Sequence, residues 1–142
     1  MEAIRKDGRD WALFVLRFVL GSTFIMHGAQ KVLGLFDGPG LSGFAEGVSN
    51  MGIPSFFGYL AALFEFAGGW LVLLGIATEL GALLIAPVML VAVLKVHFGN
   101  GYFGPNGAEY SLNLLLICIA LILGGPGKQA LWDPMARWRS GH

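Results

Sequence analysis

The chain has 142 residues, about one domain's length, yet 56% of them are hydrophobic and 13% charged, where soluble domains carry about 25% charged. Ten of its 18 charges fall in the first ten or last fifteen positions, leaving eight for the 117 between, which excludes a solvated globular surface and implies an integral membrane protein. Zero net charge with no basic run excludes nucleic-acid binding, and a lone cysteine, Cys118, excludes an internal disulfide, a CxxC pair and a cysteine-built zinc site.

The first predicted element covers residues 11–30. Arg5, Lys6 and Arg9 precede it, but Arg17 interrupts the apolar run and no A-x-A pattern follows. It therefore reads as a retained helix and not a cleaved signal peptide. Residues 31–55 form a long loop with Asp37-Gly38-Pro39-Gly40, after which residues 41–51 read either as loop or as a short interfacial helix. The second element covers residues 56–76 and the third residues 80–96, with a minimal link at 77–79, so the two form a tight antiparallel hairpin. Pro87 predicts a kink in the third. Residues 97–108 are a turn-rich lid, and the fourth element runs over about 107–125.

Each apolar stretch is close to the ~20 residues that cross a bilayer, and in lipid a helix satisfies its own backbone. The predicted fold is all-α: one domain over residues 1–142, an integral membrane four-helix bundle. At the end, Leu131, Met135 and Trp138 fall at i, i+4, i+7 with Arg137 and Arg139 opposite, which predicts an interfacial helix over about 129–139. The two ends hold six basic residues (Arg5, Lys6, Arg9, Lys128, Arg137 and Arg139), against Lys31 and Lys95 on the other side. By the positive-inside rule both termini are cytoplasmic. Trp11, Trp132 and Trp138 mark the inner interface, and Tyr59, Tyr102 and Tyr110 the outer one.

Ionisable residues inside membrane helices are costly, so their positions carry the functional information. Counting from the outer helix ends at about 1.5 Å per residue puts Glu65 about 14 Å deep and Arg17 about 15 Å deep. An Arg17–Glu65 pair near the bilayer centre is the expectation, because either charge alone is expensive. On the outer side lie His27, Lys31, Lys95, His97, Glu109 and Asn113. Arg17, Gly21, Phe24, Gly28 and Lys31 trace one stripe on the first helix; Gly58, Ala61, Glu65, Gly68, Gly69 and Val72 trace one on the second. Glu109, Asn113 and Leu116 trace one on the fourth. Small residues let helices approach closely, so these stripes predict a polar cavity that opens outward above an apolar inner half. Plainer readings stand beside this: an ion pair that only fixes register, histidines as interfacial caps, lysines that snorkel, Glu109 favoured by a helix dipole, and Cys118 and Gly68-Gly69 as packing.

At these residues the chain resembles the DoxX family. The resemblance rests on residues 17–34, with Arg17-Phe18-Val19-Leu20-Gly21 and His27-Gly28-Ala29-Gln30-Lys31, then on Gly40-Leu41-Ser42-Gly43 and Gly52-Ile53-Pro54. It continues through Glu65-Phe66-Ala67-Gly68-Gly69, residues 73–78, His97, residues 101–103, Gly107-Ala108-Glu109-Tyr110 and Gly124-Gly125-Pro126-Gly127. It implies a four-helix inner-membrane protein and a membrane subunit of an oxidoreductase system, some members passing electrons from sulfur compounds such as thiosulfate to quinone. With one cysteine and no separate redox domain, direct sulfur chemistry is not expected of this chain. No metal or covalent cofactor is expected; the expected partners are the lipid bilayer, a quinone and other oxidoreductase subunits.

The leading expectation is thus a quinone-interacting subunit in which His27, Lys31, Lys95 or His97 donate to the carbonyls and Glu65 and Glu109 relay protons. The alternative is a non-catalytic scaffold that holds a lipid or small molecule and recruits partners through residues 28–55. A conduction path Glu109–Glu65–Arg17 would need polar residues below Arg17 in the third and fourth helices, which the sequence does not supply. A haem between His27 and His97 would show itself by a Soret band.

Overall fold

The computed structural model describes residues 2–136 of the chain. Five α-helices are found among the described residues: α1 (Glu2–Gly28), α2 (Gly40–Asn50), α3 (Ser55–Leu74), α4 (Thr78–Val91) and α5 (Glu109–Gly124). A π-helical turn, Ala29–Leu33, prolongs α1, and another, Ala92–His97, prolongs α4 before a short 3-10 turn. Three of the resulting helical segments are long and apolar enough to cross a membrane: Ile4–Leu33, Ser55–Leu74 and Thr78–Asn100. The helix α5 is equally apolar but shorter, 16 residues. Of residues 41–51, all but Met51 are helical, in α2. The helix α4 runs on through Pro87, which offers no N–H to the turn before it.

The chain runs up α1, down α3, up α4 and down α5. The links at residues 34–54 and 98–108 share one end, here the loop end. The N-terminus, the α3–α4 link and residues 125–136 share the other, the termini end. Glycines set how closely α1 and α3 approach. A Cβ at Gly21 would lie 2.6 Å from the Leu73 Cβ, one at Gly69 would lie 2.7 Å from the Ile25 nitrogen, and one at Gly28 would lie 2.6 Å from Phe66. The three contacts fix a single antiparallel register. Leu13, Leu20, Phe24, Val72, Ala82, Ile85, Met89, Leu114, Cys118 and Leu121 fill the core between the four long helices. Trp70, Leu63, Leu83, Leu116 and Leu123 point outward, which a helix in lipid tolerates and a helix in water does not.

Two predicted features are corrected here. The fourth-helix stripe of Glu109, Asn113 and Leu116 faces away from the bundle; Ser111, Leu114, Cys118 and Leu121 are the buried face of α5. Polar residues at a helix start suggested an inward stripe, but apolar outward faces are ordinary in a membrane, so polarity did not mark the core side. Residues 129–135 are not helical either. The segment lies beneath the α3–α4 link, where Trp132 bridges Ile76 in parallel. Leu131 N–H donates to the Leu74 carbonyl at 3.3 Å, Trp132 N–H to Gly75 at 3.1 Å, and Ala77 N–H to Trp132 at 3.0 Å. The carbonyls that end α3 lack helical donors, and this segment supplies them. Trp138, Arg137 and Arg139, the rest of that prediction, lie outside the described residues.

Candidate functional site

The sequence-predicted charges separate into two nodes, one at each end. At the loop end Lys31 is the middle residue of the π-helical turn Ala29–Leu33, which Gly34 closes at φ 67° by donating its N–H to the Ala29 carbonyl. Such widened turns recur at functional sites. Lys31 Nζ lies 2.7 Å from Glu65 Oε1 and bonds Oε2 as well. The Glu65 side chain is 1% exposed and the Lys31 side chain 20%. Lys31 Nζ also sits over the Phe44 ring, 4.6 Å from its centroid. The node therefore joins α1, α2 and α3.

Arg17 does not pair with Glu65. By the register of the glycine contacts, Glu65 stands opposite Ala29 and Arg17 opposite Ala77, about 18 Å apart along the helix axes. Two physical reasons overturn the expected pair. The first helix does not end at His27 but continues to Leu33, so Arg17 lies deeper than the count from His27 implied. Side chains also tilt toward the N-terminus of their own helix. On antiparallel helices Arg17 therefore reaches toward the termini end and Glu65 toward the loop end, where Lys31 tilts down to meet it.

Arg17 is 1% exposed and gives its protons to backbone. Nε donates to the Val72 carbonyl at 3.1 Å, Nη1 to Pro126 at 2.9 Å, and Nη2 to Leu73 at 3.2 Å and Gln129 at 3.4 Å. Four carbonyls, two of them in the last turn of α3 where the helix dipole is negative, stand in for a carboxylate. Nearby, Lys128 Nζ bonds Asp7 Oδ1 at 2.9 Å and lies 3.5 Å from Asp10 Oδ2. The hydrogen bond to Asp7, followed by the charges of Asp7 and Asp10, raises the Lys128 pKa above the ordinary lysine value. The predicted apolar inner half is thus corrected: the termini end holds Arg17, buried Asp10 and buried Thr78. Sequence reasoning missed Lys128, Asp10 and the carbonyl nest, although Gly125-Pro126-Gly127 signals a chain reversal that returns a segment to the bundle.

The other predicted site residues share no hydrogen bond with either node, although His27 lies within electrostatic reach of Lys31. His27 Nε2 lies 3.4 Å from the Tyr110 hydroxyl, across from α5. His97 Nδ1 donates to the Asn106 carbonyl at 2.8 Å, which ties the end of α4 to the 98–108 turn. The two histidines engage different partners and do not form an axial pair. Lys95, Glu109 and Asn113 are exposed. No Glu109–Glu65–Arg17 file is assembled, since Glu109 faces outward and Leu20, Phe24 and Val72 are buried in the core along the stretch between Glu65 and Arg17. Beneath the 98–108 turn lies an apolar cleft of about 410 Å³ lined by Val93, Phe98, Gly101, Tyr102, Ala108 and Leu112.

An all-helical bundle with three membrane-length apolar segments and a buried lysine–glutamate pair defines a small integral membrane protein built around a polar site. The DoxX family profile matches residues 12–98, and the chain belongs to the DoxX family. It is 34% identical over 120 residues to "Putative oxidoreductase CatD" of Bacillus subtilis, covering 84% of this chain and 83% of that protein. It is 29% identical to the inner membrane protein YqjF of Escherichia coli, covering 89% and 93% respectively. It is also 31% identical to an uncharacterized membrane protein of Mycobacterium tuberculosis, covering 84% and 78%. No solved structure matches the chain.

Proposed function

We propose that this chain is a quinone-interacting membrane subunit of an oxidoreductase system, with Lys31 and Glu65 as the polar end of the quinone site. In this reading it is a four-helix bundle of the bacterial inner membrane with both termini cytoplasmic. The observation that carries the reading is the Lys31–Glu65 pair, buried at Glu65 and reached from the loop end through Lys31. A charged pair at this depth is expensive to keep and marks a working site. The oxidoreductase name of the Bacillus relative supports the same class.

The chemistry of the pair selects among ligands. Lysine and glutamate together carry no net charge, so a sulfur oxyanion entering here would meet the Glu65 carboxylate with nothing left over to neutralise it. A neutral carbonyl oxygen needs only one N–H from Lys31, and Phe44 supplies a flat apolar neighbour. These residues fit a quinone. Bound there, a quinone would supply two-electron, two-proton acceptance, and the electrons would come from another subunit. Lys31 orients the carbonyl, and Glu65 anchors the ammonium in place.

The test is titration of the purified chain with menadione. Wild type should bind, and Lys31→Met should bind about tenfold or more weakly, the loss of one hydrogen bond from a charged donor. Wild type that does not bind, or Lys31→Met that binds equally well, overturns the reading. The apolar cleft under the 98–108 turn favours a second one, a non-catalytic subunit that holds a lipid chain and recruits partners. Phospholipid alone in an organic extract of the purified protein, lost in Leu112→Trp, together with no menadione binding, would put that reading first.

A further inference from the structure

The packing around Lys31 poses a conflict for any carbonyl ligand. An ammonium has three N–H groups and no more. Both Glu65 oxygens engage Lys31 Nζ, and the Phe44 ring centroid lies 4.6 Å from it. Only 20% of the Lys31 side chain is exposed, so a flat ring has little room to seat on the ammonium beside both. Either the carboxylate or the ring must yield, and they are not equivalent. Glu65 is 1% exposed and held between α1 and α3, so moving it would strand a buried charge. Phe44 is half-buried on a separate short helix.

The anchoring of α2 does not depend on Phe44. Its buried residues are Ala45 and Val48, which seat it on α3 at Gly58, where a Cβ would lie 2.7 Å from the Ala45 Cα. The helix can therefore stay in place while the Phe44 side chain changes rotamer. The connection into α2 is set against relaxation. Gly34, Phe36, Asp37 and Gly40 all have positive φ, 67°, 54°, 59° and 70°. Phe36 and Asp37 are not glycines, and such conformations persist where surrounding structure enforces them. That loop holds α2 over Lys31.

Resting on the quinone-site reading, we infer that Phe44 is the gate of this site: a neutral, planar carbonyl compound binds by displacing the ring from Lys31 and taking its place on the ammonium. The space a benzene ring vacates suits a flat quinoid ring better than a branched aliphatic ketone. Phe44 thereby acts as a specificity-determining residue as well as a cover.

The prediction has a distinctive sign, since substitutions that weaken the ring's hold on the ammonium should improve binding. Menadione titrated into the purified full chain should bind Phe44→Leu about two- to thirtyfold more tightly than wild type, the range of one cation–π contact. Phe44→Trp, whose ring attracts a cation more strongly, should bind more weakly. Should Phe44→Leu lose its helical circular dichroism, Phe44→Met serves in its place with the same expectation. A ring-free variant that binds no better than wild type, with Phe44→Trp no weaker, overturns the gate while leaving the quinone site intact, provided wild type binds and Lys31→Met binds about tenfold or more weakly. Menadione binding absent from wild type and Phe44→Leu alike overturns the site and the gate together.

Discussion

Lys31 and Glu65 each make sense only through the other. Breaking a buried pair from one side leaves an uncompensated charge, which costs about 3–5 kcal/mol, whereas replacing both partners with neutral groups of similar size is close to neutral. Lys31→Met, which leaves the 1% exposed carboxylate alone, should therefore destabilise most. Glu65→Gln should cost less, because Lys31 keeps partial access to the loop end. The double variant should recover most of the loss. Equilibrium unfolding in mixed micelles measures the order, and additive single effects would show that the pair does not act as a unit. Lys128 offers a separate check at the opposite end. Its pKa is raised above 10.5, first by its hydrogen bond to Asp7, so its contact is complete below that value and is lost as pH rises through the higher folded value. Asp7→Asn should lower the Lys128 titration midpoint, read by NMR of the amine.

Between helices, the same residues explain what the sequence could and could not disclose. The inward faces of α1 and α3 were legible, because Gly21, Gly28 and Gly69 recur at helical spacing and only small residues allow backbones so close. Lys31 was correctly placed on the Arg17 stripe for the same reason. The partner of Arg17 was not legible. Depth counted from His27 ignored the π-helical continuation to Leu33, and periodicity carries no information about which way along its axis a side chain tilts. Nor does a local pattern reveal that residues 126–132 fold back under α3, since that contact joins positions more than fifty residues apart. The contact has its own test. Arg17→Leu orphans carbonyls at about 1–3 kcal/mol each before water reaches them, so hydrogen exchange should rise at Leu131, Trp132 and Ala77 first. Unchanged protection there would mean that Arg17 does not hold the segment. Gly28→Val, which drives a side chain into Phe66, should instead loosen α1 from α3 along its length, at about 1–3 kcal/mol or more.

For the whole molecule the number of crossings and their direction rest on helix length and charge. α5 spans about 24 Å, short of a hydrocarbon core of about 30 Å, but local thinning of the bilayer accommodates such a mismatch at modest cost. Charge argues for the crossing and for its sense. Lys128 joins Arg5, Lys6 and Arg9 at the termini end, while the loop end keeps only Lys95 and a Lys31 already neutralised by Glu65. On the proposed orientation, the positive-inside rule would put the termini in the cytoplasm. Because Cys118 is the lone cysteine and is 0% exposed, the native chain should be silent to a membrane-impermeant maleimide. On intact cells Ser49→Cys should label from outside, while Lys6→Cys and Ala136→Cys should label only after permeabilisation. The mirror-image pattern would reverse the orientation and place the Lys31–Glu65 site on the cytoplasmic side. Ala136→Cys labelling together with Ser49→Cys would show that α5 does not cross, so that the bundle closes around a half-inserted helix and the cleft under residues 98–108 opens sideways into lipid.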